Sequence, residues 1–336
     1  GMARMRLDAT WLWSTFRRSF TTRQRPDAIL LIAPPFLSAL LGLWLRWRWR
    51  VPVVYHVQDL QVDAALELGM LPRRLGRALR GVERWLLGRV DLVTTISAGM
   101  RRCLLAKGPM RRGVHLVPNW ADTAALQPHA GRNGYRAAWG CGDGDVVVMY
   151  SGNLGRKQGV EVLLAAFAQL NDLPQARLVV AGAGAERAAL HAHAAARGLG
   201  EPRVRFVDLA PSERLAEFLS AGDVHAIPQR RAAADLVLPS KLLNIWAVGR
   251  PVVATADPGT DLARAVDGSG SGTVAAPEDP AALAAALRTV IADPERRARC
   301  GVAGRHHVRS TLDIHPVLAR CAALLVHLHR RNRRPR

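Results

Sequence analysis

Short aliphatic runs alternate with amphipathic stretches along almost the whole chain, and most of the runs end in Gly, Pro, Asn or Ser. Runs too short to be helices, separated by segments of helical length, are the signature of parallel strands covered by helices on both faces. In the first part the pattern predicts a basic helix over 8–22, a buried strand over 27–32 and a helix over 36–50. Strands over 51–57 and 91–96 follow. Next come a helix over 98–106, with Ser97 at its N-cap and Gly108-Pro109 as its stop, and a short strand over 114–117. Residues 119–144, rich in Gly, Ala, Asp and Asn, read as a domain junction with one short helix near 135–139. The second part is more regular. Strands over 146–150 and 177–181 alternate with helices over 160–170 and 185–197. Strands near 204–207, 224–227 and 252–254 follow with helices between them, and the chain is mostly helical from 294 onward. We expect a six-stranded doubly wound sheet there, and no internal repeat is visible.

Residues 28–45 are nearly all apolar and long enough to raise the question of a membrane span. Pro34-Pro35 splits the stretch, and each half matches a soluble element, so strand-turn-helix is the expected reading. The helix ends Leu43-Trp-Leu-Arg-Trp-Arg-Trp-Arg50. That density of Trp and Arg suits a lipid headgroup interface, and equally a solvated basic helix end with some tryptophans packed inward.

The length of 336 residues fits two domains, each able to bury its own core. A formal charge of +20 implies an anionic partner, although an Arg-rich, Ala-rich genomic bias gives the same balance. Charge alone does not make a nucleic-acid binder: aromatic platforms and a recognisable DNA or RNA module are missing, and none is expected as a partner. Cys103, Cys141, Cys300 and Cys321 are scattered without metal-site or disulfide spacing, which favours a reducing cytoplasmic compartment. No cleavable signal peptide is expected at the N-terminus.

Candidate chemistry begins with the lysines, of which there are only three among forty-seven basic residues. Lys107 closes a surface helix and is expected to be incidental. Lys157 lies in the loop Ser151-Gly-Asn-Leu-Gly-Arg-Lys-Gln-Gly159, which follows a strand and opens a helix. Glycines there admit close approach of a ligand, and a helix start offers free amides and a positive dipole end. The loop is neither a P-loop nor a Gly-x-Gly-x-x-Gly fingerprint. Lys241 follows Pro239-Ser240, good helix-start residues. If both loops gather beyond the carboxyl ends of the strands, the two lysines converge on one anionic group. Gly182 and Gly184 form a third, weaker strand-to-helix turn. In the first part, His56, Gln58 and Asp59 sit at a strand's carboxyl end, without the order of a hydrolase triad and without a Gly-x-Ser-x-Gly elbow anywhere.

Taken in order, these pieces resemble the retaining glycosyltransferase family 4, whose GT-B fold sets two Rossmann-like domains facing a cleft. Pro118-Asn119-Trp-Ala-Asp122 resembles the family's Pro-Asn-Gly-Val-Asp, and Gly152–Gly159 its donor-phosphate loop. Gly182-Ala-Gly184 with Glu186 resembles its Gly-x-Gly-x-Glu turn, and Ala247-Val-Gly-Arg-Pro-Val-Val-Ala254 its Ala-x-Gly-x-Pro-Val-Val-Ala signature. Tyr-His-Val-Gln-Asp-Leu and Pro-Ser-Lys-Leu-Leu-Asn look most like enzymes of colanic-acid and other exopolysaccharide assembly. The resemblance implies an acceptor domain over 1–125, a donor domain over 126–310 and a C-terminal helix and basic tail over 311–336. It implies that Gly152 admits the donor diphosphate, that Lys157 with Arg156 binds it, and that Lys241 and Ser240 reach the same leaving group. Asn153, Gly182, Gly184, Pro239, Leu242 and Asn244 complete the expected donor site. The reaction implied is transfer from a nucleotide sugar, a UDP-sugar first, to a lipid-linked saccharide with retention, using no metal or other cofactor. Its expected place is the cytoplasmic face of the plasma membrane, in peripheral contact with anionic lipid.

Three departures accompany the resemblance. The family's Glu-x7-Glu pair falls on Leu236 and Asn244, so both carboxylates are absent, although Asp235 is adjacent. The family's frequent acceptor-domain His falls on Gln58, leaving His56 and Asp59 as substitutes. The first strand and its Gly-rich turn are missing, so the chain is expected to begin roughly sixty or more residues late with an incomplete first domain. These departures motivate a second expectation, a catalytically impaired nucleotide-sugar-binding subunit of a polysaccharide assembly system.

Overall fold

A computed structural model describes residues 2–22, 24–34, 38–67, 69, 71–234 and 239–333. The chain divides into two compact units: residues 2–118 with 317–333, and residues 119–234 with 239–316.

The first unit runs α1 (Met2–Thr21), β1 (Ile29–Ala33), α2 (Ser38–Trp49), β2 (Val53–Val57), α3 (Gln61–Glu67), α4 (Arg73–Leu87), β3 (Leu92–Thr95), α5 (Ala98–Ala106) and β4 (Val114–Leu116). Its four strands are parallel in the order β1-β2-β3-β4. The expected helix over 36–50 is α2; residues 35–37 lie outside the described residues. No expectation covered α3 and α4. Five arginines dilute the apolar stripe of α4, yet that stripe still turns Leu86 and Leu87 inward.

The strand expected to be buried over 27–32 is only half buried. Ile29, Leu31 and Ala33 are enclosed, whereas Leu30 and Ile32 are 41% and 50% exposed. β1 is an edge strand, and α2 covers one face of it, so close that a Cβ on Gly42 would lie 2.3 Å from Leu31 Cδ1. Among the described residues no helix is long and apolar enough to cross a membrane.

The second unit opens with α6 (Gly134–Ala138) and alternates β5 (Val146–Ser151), α7 (Val160–Phe167), β6 (Ala176–Ala181), α8 (Arg187–Ala195), β7 (Val204–Val207), α9 (Leu215–Ser220), β8 (Val224–Pro228), α10 (Lys241–Ala247), β9 (Val252–Thr255), α11 (Asp261–Ser269), β10 (Gly272–Ala275), α12 (Pro280–Ala292) and α13 (Pro294–Thr311). Last comes α14 (Ile314–Arg333), whose residues from 317 onward count with the first unit. There Leu328 and Leu325 pack on Val54 and Leu92. The six strands of the second unit are parallel in the order β10-β9-β8-β5-β6-β7, and β10 is the strand the apolar pattern left unnamed.

Successive strand residues point to opposite faces, and each face meets its own helices. Val146, Val148 and Tyr150 pack with Leu163, Phe167, Leu190 and Leu287 of α7, α8 and α12; Val147 and Met149 pack with Trp139, Phe218 and Leu219. The end of the segment Pro118–Asp122 is fixed by local bonding. Asp122 Oδ1 accepts from the amides of Ala124 and Ala125 at 3.1 and 2.9 Å, and Ala121 exchanges backbone bonds with Leu312 and Ile314.

Lys107 is not incidental. It caps α5, and its ammonium lies between the carboxylates of Asp63 on α3 and Glu83 on α4, with lysine and glutamate side chains 13% and 8% exposed. Burial holds the Glu83 carboxyl above its ordinary range, Lys107 opposing that shift. Removing one partner of such a group leaves uncompensated buried charge. Lys107→Met should therefore lower the unfolding free energy by about 3–5 kcal/mol in urea titration. An acid whose folded pKa lies above its unfolded value stabilises the fold at low pH and loses that contribution as pH rises through the folded pKa. The deficit of the variant should accordingly be larger at pH 8 than at pH 5. A loss that does not grow with pH contradicts this role.

Candidate active site

In the second unit β6 and β7 lie on one side of β5, and β8, β9 and β10 on the other, so the strand order reverses at the β5–β8 pair. Loops leaving the carboxyl ends at such a reversal diverge and leave a crevice where ligands of open α/β sheets bind. The loop after β5 is 152–159. The chain after β8 leads through Pro228–Arg230 to α10, whose first residue is Lys241.

The loop after β5 lies against its neighbours with no room for a side chain at the glycines where they meet. Gly152 has φ +138 and Gly182 has φ +149; a Cβ on Gly182 would stand 1.8 Å from the Gly152 carbonyl oxygen. A Cβ on Gly184 would stand 2.3 Å from the Leu154 carbonyl oxygen. That approach continues the sheet bonding past β5 and β6. Gly152 N donates to Ala181 O at 3.0 Å, Leu154 N to Ala183 O at 2.9 Å, and Glu186 N to Leu154 O at 3.0 Å. Gly159, φ +63, is pressed just as closely against the Pro228 carbonyl, at 2.4 Å from a would-be Cβ. Arg230 fastens that side: its amide donates to Lys157 O at 3.3 Å and its guanidinium pairs with Glu161 of α7 at 2.6 Å.

Lys241 reaches into this crevice. The stem is partly exposed, but the ammonium has lost contact with solvent and makes no hydrogen bond among the described residues. It rests 3.9 Å from the centroid of the Tyr150 ring, and a Cβ on Gly152 would come within 3.1 Å of it. Burial pushes its pKa down to about 7. An unpaired cation in that position is a point charge awaiting an anion.

Gly152, Lys241, Gly182 and Gly184 are thus brought into one constellation through the β5 end. The Gly152 amide is already engaged, so this residue contributes by the side chain it lacks. Asn153 is exposed, and its carbonyl accepts from the Tyr150 hydroxyl at 2.7 Å. Arg156 is exposed and Lys157 half-buried on a short 3-10 turn between Gly155 and Gly159. Pro239 is half-buried, Ser240 is exposed at the start of α10 and makes no side-chain cap, Leu242 is core, and Asn244 is half-buried. Leu236 and Asp235 lie outside the described residues.

In the first unit, His56 is the fourth residue of β2, buried and 2.9 Å from Thr94 Oγ1 through Nδ1. Burial lowers its pKa to about 4, so the ring is neutral at pH 7. Gln58 and Asp59 follow the strand end and are half-buried; the Gln58 amide donates to Ala33 O at 3.3 Å.

Known proteins match both units. The Glycosyl transferase 4-like domain matches residues 2–120, and the Glycosyl transferases group 1 family matches residues 132–307. The chain belongs to the group 1 glycosyltransferases. This glycosyltransferase is 34% identical over 303 residues to WcaI of Escherichia coli (strain K12), named as a candidate glycosyl transferase of colanic acid biosynthesis; the match covers 88% of this chain and 73% of that protein. It is 30% identical over 283 residues to the D-inositol 3-phosphate glycosyltransferase of Kineococcus radiotolerans, covering 79% of this chain and 64% of that one. Among solved structures, sucrose-phosphate synthase of Thermosynechococcus elongatus superposes with a TM-score of 0.79 at 24% identity, covering 96% of this chain and 78% of that one. HepE of Anabaena, solved with UDP and glucose, gives 0.75 at 20% identity, covering 95% and 81%. Such likeness establishes the fold, two parallel-sheet α/β units of GT-B type.

Sequence reasoning on the glycosyltransferase missed Tyr150 and the Glu161–Arg230 pair. Tyr150 reads as one more apolar strand position; the available signal was a large aromatic directly before a Gly-rich loop. The glycine contacts give a sharp prediction. Gly182→Ala should cost about 3 kcal/mol or more in urea unfolding, combining left-handed strain with overlap of a backbone oxygen. Gly198→Ala, also at positive φ (+65) but with no atom within 4 Å, should cost only about 1 kcal/mol. Equal losses in the two variants would remove the packing argument.

Proposed function

We propose that this glycosyltransferase moves a sugar from a nucleotide sugar, with UDP-sugars the first candidates, to a lipid-linked saccharide during cell-surface polysaccharide synthesis, with retention of configuration. The observation that carries the reading is the Lys241 ammonium, buried and without a hydrogen-bond partner beside Gly152 at the strand reversal. When the glycosidic bond to a nucleoside diphosphate breaks, charge accumulates on the departing phosphate as an oxocarbenium-like centre forms, so fixed cations there lower the barrier most. Lys241 and Lys157, with Arg156 at the loop surface, supply that charge from side chains, and no resident metal is required in this scheme. The UDP held by HepE and the colanic acid biosynthesis named for WcaI support the choice of donor and pathway class. Asn244 stands where the family has a carboxylate and would serve the donor as a neutral hydrogen-bonding group. Of the acceptor-side candidates, Gln58 and Asp59 are the ones with side chains part-open to ligand; His56 is the buried support of its strand.

Peripheral membrane contact belongs to the same proposal. Trp11, Trp13, Phe20 and Trp47 are 47%, 62%, 54% and 71% exposed on α1 and α2, interleaved with the exposed Arg17, Arg18 and Arg48. Trp44 packs inward, 5.1 Å from Phe16 between ring centroids, and donates to Ser19 Oγ at 3.1 Å.

Lys157→Ala and Lys241→Ala should each weaken UDP binding about tenfold to a hundredfold by calorimetry, the range of a charge-assisted contact. Unchanged affinity in both variants would show the phosphate site to be elsewhere, and tight UDP binding without turnover of any donor would identify a binding subunit. On vesicles, Arg17→Ser/Arg48→Ser should weaken binding to phosphatidylglycerol-containing membranes about thirtyfold, at about 1 kcal/mol per arginine. Equal binding of the native chain to neutral phosphatidylcholine vesicles would contradict the electrostatic part of that contact.

A further inference from the structure

We infer that Tyr150 is the positioning residue of the diphosphate site: its ring face seats the Lys241 ammonium against Gly152 before an anion arrives, and its hydroxyl holds the loop that the anion meets. The inference rests on the reading of Gly152 and Lys241 as that site.

Tyr150 is fully buried near the end of β5, directly before the loop. A hydroxyl in that position must find an acceptor. It donates to Asn153 O at 2.7 Å, and Gln158 Oε1 stands farther off at 3.4 Å. One side chain therefore ties the loop down through its edge while its face carries the lysine at 3.9 Å from the ring centroid. The ring quadrupole offsets part of the cost of taking an ammonium out of water, which a flat aliphatic side chain cannot do. The glycine at 152 completes the seat, because any side chain there would press on Lys241 Nζ.

No counter-ion completes the charge among the described residues. Tyr150 from β5 and His225 from β8 are the titratable groups of the surrounding strands, and both are neutral at pH 7. Burial raises the Tyr150 hydroxyl above its usual range and lowers His225 to about 4. From its own helix, Ser240 and Asn244 bring no charge, and Arg156 and Lys157 of the loop bring only like charge. An entering diphosphate thus supplies the missing partner and raises the lysine's proton affinity. Below the free lysine's pKa of about 7 the ammonium is already charged and adds no pH dependence beyond the ionisation of the ligand itself. Above it each bound anion takes up a proton, so affinity falls up to tenfold per pH unit.

With three lysines in the chain, ε-13C-lysine labelling gives three assignable signals, fixed by Lys157→Arg and Lys241→Arg. In the ligand-free native chain the Lys241 ε-methylene protons should lie upfield of the other two through the ring current and titrate near pH 7. Tyr150→Phe should keep the upfield shift, and Tyr150→Leu should abolish it while the Lys107 and Lys157 signals report that the fold persists. Inorganic pyrophosphate should raise the Lys241 midpoint by one unit or more, and its affinity should fall about tenfold in Tyr150→Leu and less than threefold in Tyr150→Phe. An unshifted Lys241 signal in the native chain overturns the inference whether or not the leucine variant folds, as does a shift that survives Tyr150→Leu. A shifted Lys241 that neither pyrophosphate nor UDP perturbs would leave the seat in place and refute the diphosphate reading instead.

Discussion

A carbonyl oxygen 1.8 Å from the place where a Cβ on Gly182 would stand is the constraint on which the second unit depends. Because Gly152, Gly182 and Gly184 lack side chains, the backbone after β5 lies flat on the turn after β6 and keeps hydrogen bonding beyond the regular sheet. That pins the loop at the strand reversal, leaves its outer surface open, and makes a slot in which Lys241 loses water without gaining an anion. The positive-φ backbone at Gly152 and Gly182 and the desolvated ammonium are two sides of one arrangement. Core packing of α7, α8 and α12 beneath it holds the backbone rigid enough to sustain both.

Much of this was legible because it was periodic or punctuated. Aliphatic runs ending at Tyr150, Ala181 and Ile227 announced parallel strands, and the glycines marked the turns after the first two. Two of three lysines fall in or beside such turns, and of these the structure brings Lys241 to the glycines of the candidate site. Other features depended on partners far away in sequence. Lys107 could be recognised as a buried ion-pair centre only once α3 and α4 brought Asp63 and Glu83 to it. β1 looked like a fully enclosed strand because its composition is aliphatic throughout, yet α2 covers only the face of Ile29 and Leu31 and leaves Leu30 and Ile32 open. Tyr150 was hidden for the opposite reason: a buried aromatic in a strand is ordinary until a lysine is found above its ring.

Basic charge is used in two ways. In the second unit, many arginines are consumed structurally: Arg136 with Asp223, Arg203 on the carbonyl of Leu170, Arg250 on that of Ser220. In the first, Arg17, Arg18 and Arg48 stand exposed among tryptophans, the distribution on which the proposed membrane contact rests. The scarcity of lysine then acquires a physical meaning. Arginine serves where a fork can bridge several carbonyls, whereas the compact ammonium sits between two carboxylates at Lys107 and on the Tyr150 ring at Lys241.

A crystal structure of this glycosyltransferase with UDP bound addresses the central claim most directly. The account predicts the diphosphate within hydrogen-bonding distance of Lys241 Nζ, over Gly152 and against the 3-10 turn of Arg156 and Lys157, with the ammonium turned from the Tyr150 ring toward the phosphate. A diphosphate bound elsewhere, with Lys241 still resting on that ring, would contradict it.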